Sequence, residues 1–340
     1  MFKRNEYLCV DDSQRMCVHN AMSLMKKKKV GQHNEYDLFV LFHDAEKAPS
    51  AHNGPSFIIW HRFYLLMFEL AMQRYYKKCM MPYWDNRLLS RSGPNPRESI
   101  MFSSDLMGNA FGEVKTGFAA GFSTTESMSC QEISKNLSRA IPTDMEGLFH
   151  EDFTDFLKKA SDYKQLCIPW DDTFETVHGL VHIFVGELMS YLACSPSDPL
   201  FYLHHSFVDY MYEKHFKQDL QIRYPNANIS YPNIYEKTEL DDEYAGDSIM
   251  MPFGILHDDM MGNNYFNPSY EVSPGDVQCW KDDDCCSNKN TEYVWCNRKT
   301  NKCAAKIQQG GRVKSGFSAN ACYCKKPKLP VIKDNLCDCE

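Results

Sequence analysis

Nine of the 15 cysteines crowd into residues 273–340, while six are spread over residues 1–272. A short segment with that density and almost no apolar periodicity cannot fold around a core of its own. Its order has to come from cross-links. Disulfides persist only in an oxidising compartment. The chain is therefore read as two parts, a body over 1–272 and a small disulfide-rich module over 273–340. Fifteen is odd, so at least one thiol is free, joined to another chain, or paired with something outside this sequence.

Charge divides at the same place. Residues 273–340 carry 12 Lys/Arg against 8 Asp/Glu, and the rest carries 25 against 37, which makes up the net −8. An acidic body offers no electrostatic attraction for nucleic acid, and the basic residues of the tail are dispersed. No run approaches about 18 consecutive apolar residues, so no membrane span is expected. The opening MFKRNEYLC is charged and lacks the apolar stretch of a signal peptide, so any such leader is expected to have been removed. Asn136-Leu137-Ser138 and Asn228-Ile229-Ser230 match the N-glycosylation sequon. With the cysteines they predict a secreted, extracellular glycoprotein.

The body is expected to be mainly helical with long loops. A helix is predicted over 11–29, with Asp11, Asp12 and Ser13 as cap candidates. Three further stretches repeat apolar or histidine residues at helical spacing. They are His61, Leu65, Phe68, Met72 and Tyr75 in 61–76; Phe174, His178, Val181, His182, Val185 and Met189 in 173–190; and His205, Val208, Asp209 and Tyr212 in 205–216. Residues 86–130 and 222–275 show little periodicity and read as irregular. The strand signal is thin.

Seven of the 12 histidines fall in two clusters. LFHDAEKAPSAHNGPSFIIWHRFYLLMFE holds His43, His52 and His61. FETVHGLVHIFVGELM and LFYLHHSFVD hold His178, His182, His204 and His205. His178 and His182 are four apart, so both rings leave one face of a helix. An isolated pair of this kind is usually a coincidence on a surface helix, but this pair lies on the apolar stripe. Buried neutral histidines need partners for both ring nitrogens, and several together are better served by a metal than by chance contacts. Adjacent helical residues point about 100° apart, so His204 and His205 cannot both face inward. His205 shares its stripe with Asp209 and Tyr212 and is taken as the ligand, with His204 in a supporting place. All-imidazole sets suit copper, zinc, iron or nickel. Three protein ligands leave a coordination position open, the mark of a catalytic site.

APSAHNGPSFIIWHRFYLLMFE and SPSDPLFYLHHSFVD closely resemble the two copper-binding motifs of type 3 copper proteins: tyrosinases, catechol oxidases and molluscan-type hemocyanins. MPYWD at 81–85 is similar to the segment after their first motif. The likeness runs over roughly residues 1–270 and leaves the tail aside. It implies an antiparallel four-helix bundle around a dinuclear copper site. One copper would be held by His43, His52 and His61, and the other by His178, His182 and His205. Two copper ions per chain and dioxygen as co-substrate follow. The activity implied is oxidation of o-diphenols to o-quinones, with o-hydroxylation of monophenols beside it. Substrates would be small phenols or the tyrosine and DOPA side chains of proteins. Two alternatives share the motifs: a hemocyanin-like oxygen carrier without turnover, and a zinc-loaded tautomerase-like relative.

Other residues take expected roles from this frame. A ligating histidine is usually oriented by a partner on its second nitrogen. Asp209 and Glu69 are the acidic residues on the metal-facing stripes, and the competing expectation is a structural ion pair of the Arg62–Asp209 kind. Phe201 resembles the family's aromatic at the copper pocket. Many tyrosinases carry an Asn directly after the first histidine of the second motif, where it positions a water with a nearby Glu. This chain has Gly179 there, so diphenol oxidation is expected to outrun monophenol hydroxylation. Glu175 is the candidate base, or else a solvated acid at a helix start. The tail is expected to stabilise the body or to bind an extracellular partner.

Overall fold

The computed structural model describes residues 3–125, 127–227, 229–236, 240–261 and 268–340. Residue 228 lies outside them, so the second sequon has no structural account. The fold is mainly helical, and every sheet among the described residues is a two-stranded antiparallel pair. No helix among them is long and apolar enough to cross a membrane.

Six of the helices among the described residues order the body. Helix α1 spans Asp12–Lys27 and is capped as expected: the Asp11 carboxylate accepts from the Gln14 amide at 2.8 Å. Helix α2, Glu35–Phe42, is capped by Asn34, whose side chain accepts from the Asp37 amide at 2.8 Å. Its run YDLFVLF, apolar but for Asp37, has no 3.6-residue alternation, so periodicity gave no sign of it. Helix α3, Phe57–Gln73, starts a turn earlier than its histidine stripe. Helix α4 spans Glu151–Lys159. Helix α5, Thr173–Val185, stops short of the expected 190 because Gly186 turns to φ 75° and donates its amide to His182 O at 3.0 Å. Helix α6, Leu200–Met211, runs on through a π-helical stretch, Tyr212–Gln218, into Asp219–Arg223.

The Asp-Pro pair before α6 has a structural explanation. The Asp198 carboxylate accepts from the Leu200 amide at 2.9 Å and takes a two-pronged bond from Arg139 at 2.6 and 2.8 Å. Both side chains are wholly buried. Together they cap the helix and fix its first turn against the strand Ser138–Ala140.

The tail is built from two hairpins. Strands β1 (Val294–Asn297) and β2 (Lys302–Ala305) pair, as do β3 (Pro330–Lys333) and β4 (Leu336–Cys339). Disulfides 279–296, 285–303, 322–337 and 324–339 lie within it. Its ninth cysteine leaves it, because Cys286 pairs with Cys9. Bridges 17–79 and 130–194 hold the body, and Cys167 is the free, buried thiol. Burial pushes that thiol above its ordinary value, so it is a poor nucleophile. Polar contacts seat the tail on the body. Asp276 receives the Tyr210 hydroxyl at 2.5 Å, His215 Nε2 at 2.8 Å and Arg87 at 2.8 Å. The Ile100 amide donates to Lys306 O, and the Gln308 amide to Glu98 O, both at 2.8 Å.

Candidate metal centre

The six histidines of interest arrive from five places. His43 follows the last turn of α2 and His61 stands one turn into α3. His178 and His182 project from α5, and His205 from α6. His43 caps α2 at its C-terminal end, and His52 alone is attached to no helix of the body, lying in the connection between the short turn Pro49–Ala51 and α3.

They close into two groups. His43 Nε2 lies 3.1 Å from His61 Nε2, and the His52 ring stands 4.8 and 4.9 Å from those two rings. On the other side, the Nε2 atoms of His178, His182 and His205 form a triangle with edges of 2.9, 3.1 and 3.2 Å. The groups face each other through the His61 and His205 rings, stacked at 4.3 Å.

The proton positions decide what these groups can do. His43 Nδ1 bonds to Leu192 O at 2.8 Å, His61 Nδ1 to Phe57 O at 2.9 Å, His178 Nδ1 to Glu175 O at 3.1 Å, and His182 Nδ1 to Met189 O at 3.0 Å. A carbonyl only accepts, so in all four rings the proton sits on Nδ1 and Nε2 presents a lone pair. Burial holds the rings neutral. It pushes His52 to about 3 and His182 to about 4, and puts His43, His61, His178 and His205 well below the ordinary value. Neutral lone pairs aimed at one another about 3 Å apart repel unless a cation lies between them. Two nitrogens each about 2.0 Å from one ion and about 100° apart are themselves about 3.1 Å apart. Both donor sets therefore fit a metal ion, and all-imidazole donors fit copper.

His204 also brings a nitrogen within 4.8 Å of those of His178 and His182. Its Nε2 is already engaged by His178 O at 3.2 Å, and its ring lies parallel to that of His178 at 5.2 Å. His205 completes the Nε2 triangle, whereas His204 braces His178. Phe201, fully buried, stands 4.1 Å from the His205 ring and 4.9 Å from His43. Phe57 was not singled out from the sequence. It sits 4.8 Å from His61 and 4.7 Å from His178, lining the opposite side. Its position one turn before His61 was the available signal.

Asp209 and Glu69 do not orient histidines; the competing expectation, an ion pair of the Arg62–Asp209 kind, is what the structure has. The Asp209 carboxylate takes Arg62 Nε at 2.6 Å, Arg4 at 3.5 Å and the Tyr270 hydroxyl. Glu69 takes Arg4 Nε at 3.0 Å and the Met81 amide at 2.8 Å. The Nδ1 partners of His43, His61, His178 and His182 are backbone carbonyls instead, and His205 Nδ1 is buried without a hydrogen-bond partner. An apolar stripe cannot tell whether its carboxylate meets a histidine or an arginine, and here Arg4 comes from the far N-terminus.

Glu175 accepts the Asn53 amide on Oε1 at 2.8 Å, while Oε2 is buried without a hydrogen-bond partner. Burial raises it to about 7 against the pull of that amide. It is therefore not the solvated acid of a helix start. At Gly179 a Cβ would meet nothing within 4 Å, so the position is open space.

Comparisons agree with this geometry. The model of the common central domain of tyrosinase matches residues 33–218. A tyrosinase-like protein of Caenorhabditis elegans is 27% identical over 351 residues, covering 98% of this chain and 48% of that protein. The chain spans about half the length of the curated relatives it matches first. A recombinant mushroom tyrosinase superposes with a TM-score of 0.56 at 17% identity, over 79% of this chain and 61% of the other. A functional unit of octopus hemocyanin does so with 0.54 at 17%, over 80% and 68%. At such identities the structures speak to the fold alone.

Proposed function

The chain belongs to the tyrosinase family, with a histidine site that fits a dinuclear copper centre, and on that footing we propose that it oxidises o-diphenols to o-quinones with dioxygen. In each cycle two diphenols would give up two protons and two electrons apiece, and one dioxygen would leave as two waters. The observation that carries this is the pair of facing groups of Nε2 lone pairs.

In this reading His43, His52 and His61 hold one copper, and His178, His182 and His205 the other. When bound, the copper pair supplies the redox exchange between phenol and dioxygen. The protein does the rest. Backbone carbonyls on Nδ1 fix four rings in the ligating tautomer. His204 holds the His178 segment from behind. Phe201 and Phe57 keep water from two sides of the site. Glu175 Oε2, buried and unpartnered, is the acceptor within the chain for a phenolic proton. With Gly179 beside His178, no side chain there orients a water. A monophenol then has Glu175 alone, without an oriented water, to help its deprotonation, and hydroxylation is the weaker activity.

The seven disulfides support a secreted, extracellular protein. Substrates are small phenols or protein-borne tyrosine and DOPA. The competing reading is an oxygen carrier, since a hemocyanin unit shares the fold. The contacts of the tail on the body fall on residues 9–15, 85–105, 151 and 210–215 and, among the described residues, on none of the six histidines, which favours open access for a phenol. Oxygen uptake by copper-loaded protein with one diphenol and one monophenol tests the proposal. Rapid uptake and brown product with the diphenol are expected; reversible oxygen binding without product would favour the carrier.

A further inference from the structure

His52 differs from the other five histidines in how it is held. It stands outside every helix, and among the described residues its ring makes no hydrogen bond. Its place therefore depends on the backbone of residues 48–56. That strap is strained, with Asn53 at φ 60° directly after His52. A strained, non-helical segment keeps one conformation only when its surroundings over-determine it.

Those surroundings come mainly from Tyr231 and from residues 244–257, beyond the stretch that matches the tyrosinase domain. The Tyr244 hydroxyl donates to His52 O at 2.7 Å, with Pro49 O at 3.3 Å. Its ring lies where a Cβ on Gly54 would be, so the strap passes directly over it. His257 Nδ1 faces the carbonyls of Ala245 and Ser248 at 3.1 and 3.0 Å, which puts its proton there. Its Nε2 is left to accept the Ser50 hydroxyl at 3.1 Å. Tyr231 stacks on His257 at 5.5 Å and donates to Tyr244 O at 2.9 Å, joining the two. Tyr244 is 9% exposed and His257 is wholly buried. From the other side the strap is met by Tyr163, on Pro55 O at 2.7 Å, and by Glu175 on the Asn53 amide.

We propose that Tyr231, Tyr244 and His257 form a clamp, with Tyr244 and His257 as positioning residues, that holds His52 in ligating geometry and sets how firmly the first triad keeps its metal. This rests on the copper reading above. Neither residue would touch the metal; both act through the strap backbone. The clamp bears on one triad only, because no contact of Tyr244 or His257 reaches His178, His182 or His205 among the described residues.

Release of copper to excess chelator, followed by native mass spectrometry of the full chain, tests it. In Tyr244→Phe the ring stays and only the hydroxyl goes. One copper should then leave about fivefold faster than in the wild type, the worth of one net hydrogen bond. The one-copper chain should accumulate, and its remaining copper should leave at the wild-type rate. His257→Gln should act in the same direction. Tyr210→Phe, which removes a buried hydroxyl that bonds Asp276 away from the strap, should change neither rate. In a His182→Ala background, Tyr244→Phe should still speed release; in a His43→Ala background it should not. Unchanged release in Tyr244→Phe, equal acceleration of both coppers, or the same effect from Tyr210→Phe would overturn the clamp. A wild-type chain that never takes up two coppers would overturn the copper reading instead.

Discussion

The two triads present the same three imidazoles by different means. His178, His182 and His205 all stand on two packed helices, and their positions follow from helix geometry once α5 and α6 are docked. The first triad is assembled from a helix end, a strap and a helix interior. Its third member, His52, is as exact as the clamp around it. A site built on helices inherits their rigidity, whereas a loop-borne ligand borrows it from elsewhere in the chain. The same metal would thus be held by local geometry on one side and by long-range contacts on the other.

Adjacent histidines on α6 give the largest expected contrast. His205→Ala should remove the copper of the helical triad and reduce diphenol oxidation to background. His204→Ala should leave both coppers bound and lower activity about 10-fold, as loss of a bracing partner does. Metal content and initial rates of the two variants decide between them, and the reverse order would mean that His204 is the ligand.

Next in size is the buried ion chain behind the helical triad. Asp209→Asn leaves the charges of Arg62 and Arg4 poorly compensated and should cost about 3–5 kcal/mol of stability. Copper affinity of the folded variant should stay near that of the wild type. If Asp209 instead oriented His205, denaturant unfolding would change little and copper affinity would drop about 10- to 100-fold.

A smaller effect is expected at Gly179, where the helical triad has room to spare. Gly179→Asn should raise the monophenol-to-diphenol rate ratio by about 10-fold, less than a fully positioned base supplies. An unchanged ratio at full copper loading would show that this position does not set selectivity.

The same contrast explains what was legible in the sequence. The pair His178/His182 announces itself by its spacing of four, and a helical stripe picks His205 over His204. His52 had no local pattern to mark it; only the likeness of the whole motif assigned it. Nothing near His52 in the sequence pointed to Tyr244 or His257, about 200 residues away. Contacts of that range belong to the fold and leave no periodicity. Of the two expectations for Glu69 and Asp209, the structural ion pair stands and the orienting of histidines does not; the Arg62–Asp209 pair was foreseen, whereas Arg4 as a partner of both was not, for the same reason. In the tail, cysteine density announced the cross-links, while spacing could not reveal that Cys286 reaches back to Cys9.

Metal content of the copper-reconstituted full chain bears on the central claim most directly. Two groups of converging lone pairs predict two coppers per chain, falling to one when either His61 or His182 is replaced by alanine. A stoichiometry of one in the unaltered chain, or zinc retained in preference to copper, would contradict the dinuclear centre.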